Sequence, residues 1–223
     1  MSPRSPAPSR YRFPDANTGI GPNGIVCLGG DFAPGTLLSS YRQGIFPWPI
    51  SPDLVPWCSP DPRALFLLDR PPDWSRSVRR ALKKPFRVTF DRAFAEVLTA
   101  CGERSEGTWI TTELAAGFRE LHALGWAHSV EVWGESGRLV GGLYGLAVGA
   151  MFAGESMFHR ETDASKVAFA RIVEALYGAG FAFFDAQLMT PHLASLGCAP
   201  VPRVEFLARL ARAVRQEREF PAE

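Results

Sequence analysis

Asp185 and Gln187 close the run FAFFDAQ and stand two residues apart. On a strand that spacing puts both side chains on one face, roughly 6–7 Å apart at their Cα atoms. A carboxylate beside an amide carbonyl can accept a hydrogen bond from an incoming donor and orient the group that accepts it. On residue types alone, a strand end carrying solvated polar groups explains the pair at least as well. Glu155 follows a long apolar run in FAGESMF, a costly position for an unpaired carboxylate if the side chain is buried. Ser156, His159 and Asp163 invite comparison with a triad, but GESMF lacks the second glycine of a nucleophile elbow.

Other chemistries find less support. His122, His128, His159 and His192 have no ligand spacing, and Cys27, Cys58, Cys101 and Cys198 form no C-x-x-C pair. Gly19, Gly21 and Gly24 match G-x-G-x-x-G, but Pro22 sits inside the match and a ragged tail precedes it, so a turn is expected. Neither G-x-x-x-x-G-K-[ST] nor H-E-x-x-H occurs. No metal and no cofactor are expected.

The elements that must hold these residues follow from pattern. Residues 1–10, rich in Pro and Ser, read as a disordered tail and not as a secretory leader. Residues 11–72 are dense in Pro, Gly and aromatics and read as a small N-terminal domain with short strands. From 73 to 223 strands and helices alternate: a helix over 75–84 capped by Ser75 and stopped by Pro85, strand 86–90, and a helix after Asp91. A helix over 111–125 and an antiparallel series from Ser129 to Phe158 come next, then a helix from Asp163, the strand FAFFDAQ, a short helix near His192 and a last helix from Arg203. That order predicts an α+β fold around one mixed sheet. The uncharged run Leu139 to Gly154 holds five glycines and is shorter than the 18 or so residues of a membrane span; paired strands and a cytoplasmic protein are expected.

With 24 Lys+Arg against 23 Asp+Glu the chain carries a net charge of +1, which excludes a protein that coats nucleic acid non-specifically. The balance hides an asymmetry. Residues 1–100 carry 13 basic and 8 acidic side chains, and residues 101–223 carry 11 and 15. Between Arg70 and Arg92 eight basic residues face only Asp73 and Asp91. Arg76, Arg79, Arg80, Lys83 and Lys84 fall on one short helix, where they can meet phosphates without reading sequence. A solvated helix face is the competing reading, though such faces normally mix both signs.

In order along the chain stand GGDFAPGTLLSSYRQGIFPWP, WCSPDPRALF, TWI, AHSVEVW, LVGGLYGLAVGAMFAGESMF, DASKVAF, FDAQLMTPHLASLG and VPR. From Ile25 to Arg203 the chain resembles the leucyl/phenylalanyl-tRNA protein transferases, bacterial enzymes that attach Leu or Phe from charged tRNA to proteins beginning with Arg or Lys. The resemblance implies a small N-terminal domain and a C-terminal GNAT-like domain that works without acyl-CoA. It also implies transfer of Leu, Phe and Met, a product marked for degradation, and catalysis by Asp185 and Gln187. Two departures lie beside these residues: Ala186 stands where the family commonly has Cys, and Ala153 precedes Gly154 where a Phe is common.

An aminoacyl ester is already activated, so aminolysis needs a neutral amine, placement and somewhere for charge to go. On this reading the Gln187 carbonyl accepts a hydrogen bond or proton from the attacking amine while Asp185 orients and polarises that amide. Glu155 hydrogen-bonds the aminoacyl group, pairs with the acceptor's basic first residue, or holds the loop; the sequence leaves all three open. Met151, Phe152, Met157, Phe169 and Phe183 are candidates for the amino-acid pocket, against the plainer reading of core. Trp48 and Trp109, with Tyr41, are candidates to hold the terminal adenosine of tRNA by stacking. A monomer is expected. An acyl-CoA-dependent acetyltransferase and a non-catalytic tRNA or N-terminus binding module are the alternatives.

Overall fold

The computed structural model describes residues 2–21, 23–51, 54–103 and 108–221. In chain order come β1 (Ile25–Leu28), α1 (Pro34–Arg42), β2 (Phe46–Pro47), β3 (Pro56–Cys58), β4 (Arg63–Leu67), α2 (Arg76–Ala81), β5 (Arg87–Phe90), α3 (Phe94–Gly102) and α4 (Thr112–Ala123). They are followed by β6 (Ala127–Trp133), β7 (Leu139–Val148), β8 (Met151–His159), α5 (Ala164–Gly178), β9 (Phe183–Gln187), α6 (Pro191–Ser195), β10 (Ala199–Val201) and α7 (Arg203–Ala213). Helices α2, α4 and α6 start where a hydroxyl accepts from one of the first free amides. Ser75 accepts from Val78 N at 3.4 Å, Thr111 from Leu114 N at 3.2 Å, and Thr190 from Leu193 N at 3.2 Å.

Two sheets form: a three-stranded one, β1-β3-β2, and a seven-stranded one, β10-β4-β9-β8-β7-β6-β5. All pairs in the larger sheet are antiparallel except β8 and β9, which α5 links in parallel. The fold is therefore α+β around a mixed sheet. β4, expected inside the small N-terminal domain, instead runs between β10 and β9, so the chain joins the larger sheet at Arg63, before the expected boundary at residue 72. Its sequence RALFL is buried along almost its whole length, as a central strand requires.

Apolar clusters cover both faces of the larger sheet. One holds Leu37, Leu38 and Tyr41 of α1, Trp57 of β3, Leu114 and Phe118 of α4, and Phe206 of α7. The other holds Val78 of α2, Phe169 and Ile172 of α5, Val130 of β6 and Phe184 of β9. The small sheet thus shares a core with one face of the large one. The tail expected to be disordered packs down where it is described: Arg4 donates to Ala123 O at 2.8 Å, and Trp126 Nε1 donates to Arg4 O at 2.8 Å.

Candidate active site

Pairing between β8 and β9 stops at Ala153↔Asp185, although β8 runs on to His159 and β9 to Gln187. Beyond that point the strands part, and the gap is a cavity of about 320 Å³. Its walls carry Gly154, Glu155 and Met157 from β8, Phe184 and Gln187 from β9, and Trp48 and Trp109 from the loops opposite. Gly154 is required here, since a Cβ would stand 2.2 Å from Phe184 Cζ.

A bulge marks each wall. Tyr144 pairs with Ser156 and Gly145 with Gly154, leaving Glu155 as the extra residue of β8. Ala64 pairs with Gln187 and Leu65 with Asp185, leaving Ala186 as the extra residue of β9. Bulges re-aim side chains, and Gln187 is further turned by a φ of 64°, unusual for a residue with a side chain. Gln187 Nε2 donates to Glu155 Oε1 at 2.8 Å. Among the described residues the Gln187 carbonyl oxygen has no hydrogen-bond partner, and the side chain lines the cavity.

Behind this pair lies a buried ion pair. Arg63 of β4 donates from Nε to Asp185 Oδ1 at 2.8 Å and from Nη2 to Asp185 Oδ2 at 2.7 Å, with both side chains 1% exposed. Arg63 Nη1 donates to Gly44 O at 3.2 Å, and the guanidinium lies 4.8 and 4.4 Å from the Phe46 and Phe206 ring centres. Asp185 Oδ1 also accepts from the Gln187 backbone N–H at 2.9 Å. The expected contact of Asp185 with the Gln187 side-chain amide is thus replaced: Asp185 holds the backbone of Gln187, and Glu155 holds its amide. Sequence reasoning missed Arg63, because an arginine after D-P normally reads as solvated.

Burial pushes the Glu155 carboxyl up to about 8, and the negative charge of Asp185 adds to it; the neighbouring Tyr41 phenol, the hydrogen bond from Gln187 and the charge of Arg63 pull the other way. Tyr41, expected to help hold adenosine, is 1% exposed and offers no free ring face. Its phenol is turned to Glu155, and burial together with that carboxylate holds it well above its ordinary range. Tyr41 Oη and Glu155 Oε2 are both closed from solvent, and neither meets a partner in good hydrogen-bond geometry among the described residues. They interact by proximity, in an orientation short of a formed bond.

The remaining expectations divide. Trp48 and Trp109 stack on each other, ring centres 5.8 Å apart and planes 18° apart, and form one aromatic wall of the cavity. Met157 lines the cavity, whereas Met151, Phe152, Phe169 and Phe183 lie in the core at 1%, 0%, 0% and 1% exposure. Phe184, Leu143, Leu188 and Leu193 take the apolar positions expected of them. The helix expected over 75–84 ends at Ala81, so Arg76, Arg79 and Arg80 lie on α2 and Lys83 in the turn that follows it, all four exposed; Arg79 is paired with Asp73 at 3.0 Å. Lys84 is committed elsewhere: it donates to Thr162 O at 2.7 Å and meets Asp163 at 2.8 Å. Lys166 and Lys84 hold the Asp163 carboxyl down at about 2, and its two oxygens are taken by these lysines at 2.8 Å each. His192, on the cavity wall, has its pKa lowered by burial and by Lys166 and His159. Among the described residues no group of three His, Cys, Asp or Glu side chains is placed to hold a metal, and no helix is long and apolar enough to cross a membrane.

An antiparallel meander β5 to β8, the crossover α5 and a parallel pair that opens onto a cleft define a GNAT-type α+β domain joined to a small N-terminal sheet. The family is given by comparison of sequences: residues 67–211 match the leucyl/phenylalanyl-tRNA protein transferase model and residues 30–61 match the model of its N-terminal domain. The chain is 50% identical over 205 residues to a leucyl/phenylalanyl-tRNA protein transferase of Shewanella baltica strain OS185, covering 90% of this chain and 85% of that one. The homologue of the same name from Shewanella denitrificans is 50% identical over 209 residues, 92% of this chain and 88% of its own. This chain belongs to the leucyl/phenylalanyl-tRNA protein transferase family, a family of aminoacyltransferases. Among solved structures, the C-terminal domain of a putative lysylphosphatidylglycerol synthetase from Agrobacterium fabrum aligns at a TM-score of 0.43 and 11% identity, over 82% of this chain and 57% of that one.

Proposed function

We propose that this chain transfers the aminoacyl group of leucyl-, phenylalanyl- or methionyl-tRNA to the α-amino group of a protein whose first residue is Arg or Lys. The observation that carries the reading is the Gln187 amide, anchored at the open end of β8 and β9 with its carbonyl oxygen left to the cavity. An α-amino group ionises at about 7.7–8.0, so roughly a tenth or more of it is neutral at pH 7, and an oriented acceptor suffices to draw its proton as the bond forms. The amine nitrogen attacks the ester carbonyl carbon, the bond from that carbon to the ribose oxygen breaks, and one proton passes overall from nitrogen to ribose oxygen. Gln187 takes the amine's N–H in a hydrogen bond and places the nitrogen for attack.

Apolar walls at Met157 and Phe184 receive the donor side chain, and the Trp48 and Trp109 wall meets its adenosine. Exposed Arg76, Arg80 and Lys83, with Arg79, supply a sequence-blind grip on acceptor-stem phosphates. Lys166 links that grip to the cleft, since its Nζ bonds Ser77 Oγ at 3.2 Å and its charge acts on His192 in the cavity wall. The acidic excess of residues 101–223 favours a basic N-terminus. One chain supplies every residue named, which is consistent with a monomer, and a charged tRNA as donor calls for action in the cytoplasm. The test is transfer of radiolabel from Leu-, Phe-, Met- and Val-tRNA to peptides beginning with Arg, Lys, Ala or Glu. Label moving from the first three donors to Arg and Lys peptides is expected; label on Glu peptides, or none at all, overturns the reading.

A further inference from the structure

The Gln187 side chain has two ends of opposite character, and only one serves the reaction proposed above. If the carbonyl faces the cleft it accepts from the amine; if the NH2 faces the cleft it repels an N–H and offers no acceptor. Gln187 cannot choose by its own chemistry. Asp185 does not choose for it, because both carboxylate oxygens are engaged by Arg63 and the Gln187 backbone. The amide is instead held by Glu155, the bulged residue of β8, whose Oε1 accepts from Gln187 Nε2 at 2.8 Å. Glu155 is itself 8% exposed, and its second oxygen is buried without a formed hydrogen bond among the described residues.

We infer that Glu155 is a positioning residue whose charge state sets which end of the Gln187 amide faces the cleft. Ionised, Glu155 only accepts, so Nε2 must turn to it and the carbonyl to the substrate. Protonated, it can donate to the carbonyl oxygen, and the amide can turn over into the unproductive arrangement. The groups facing this carboxyl are Tyr41 from α1, Arg63 from β4, and Asp185 and Gln187 from β9; Tyr144 of β7 acts on Tyr41. Their balance, dominated by burial, places the ionisation at about 8. The role rests on the aminolysis reading, and it turns a buried carboxyl into a switch that opens as pH rises.

Two measurements separate this inference from that reading. First, the Gln187 side-chain NH2 resonances of the 15N-labelled whole chain, assigned by their loss in Gln187→Ala, are followed from pH 6 to 9. A shift with a midpoint near 8 that is absent in Glu155→Gln is expected; resonances that do not titrate, or that titrate equally in Glu155→Gln, overturn the switch with or without activity. Second, single-turnover transfer from Phe-tRNA is compared for wild type and Glu155→Gln at each pH. Ionisation of the acceptor amine cancels in the ratio of the two rates. That ratio is expected to rise roughly eightfold from pH 7 to 8.5, as one site near 8 ionises. A ratio constant with pH contradicts the switch. An unchanged rate in Gln187→Ala would instead remove the aminolysis role of Gln187 and leave the titration result standing.

Discussion

At the scale of single residues the site is a stack of three dependences. Gln187 meets the substrate, Glu155 turns its amide, and Asp185 with Arg63 fixes its backbone in a left-handed conformation. All four side chains are buried, the Asp185 and Arg63 pair most deeply at 1% exposure, and rigid support of this kind is what aminolysis by placement needs. Arg63→Met leaves the Asp185 carboxylate buried and unpaired, which costs on the order of 3–5 kcal/mol. The double variant Arg63→Met with Asp185→Leu should recover most of that loss in urea denaturation while transfer stays impaired, because Asp185 no longer accepts from the Gln187 backbone. Recovery of activity together with stability would show that the ion pair serves the fold alone.

At the scale of elements, period-2 reasoning succeeds until a bulge interrupts it. The elements after residue 73 were legible: Ser75 and Thr111 cap the helices expected of them, and the run from Ser129 to Phe158 pairs as an antiparallel series. Glu155 stood out in the sequence because a carboxylate after a long apolar run is costly unless used; Asp185 and Gln187 were picked out by the family resemblance, since by residue type alone they read as a solvated strand end. Lining residues were not. Bulges at Glu155 and Ala186 shift which side chains face the cleft, so Phe184 lines it while Phe183 and Phe152 pack in the core. The place of β4 was hidden as well, since a short apolar run does not show which sheet it joins. The basic face of α2 was legible, but not that Lys84 is held by Asp163. Reversing Arg80 and Lys83 to Glu should therefore weaken tRNA binding and lower the slope of log affinity against log salt by about one for each phosphate left without its cation. Reversing Lys84 should act mainly on stability. Equal binding effects from the two sets would remove α2 as the phosphate grip.

At the scale of the molecule, two carboxyls make stability depend on pH in opposite senses. Asp163 is held at about 2, below the 3.8 it has when unfolded, so its contribution is present above pH 4 and lost as pH falls through 2. Glu155 runs the other way. Its native value of about 8 lies above the 4.5 of the open chain, so between those values the unfolded state has lost a proton that the native state keeps. Stability therefore falls as pH rises through that window, by at most about 1.4 kcal/mol per pH unit. Glu155→Gln should gain on wild type between pH 5.5 and 7.5 in urea midpoints, and parallel midpoints would place the carboxyl in water. The near-neutral total charge is likewise a sum of unlike parts, a basic first half and an acidic second half. Such a division suits a protein that must hold one end of a tRNA, meet a basic N-terminus and then release both.

The most direct measurement is single-turnover transfer of labelled Phe from Phe-tRNA to a peptide beginning with Arg, by wild type and by Gln187→Ala, with Phe-tRNA binding measured beside it. Wild type should move the label, and Gln187→Ala should do so about 100-fold more slowly with Phe-tRNA affinity kept within a few fold. Transfer by Gln187→Ala at the wild-type rate, or no transfer by wild type, would contradict aminolysis placed by Gln187.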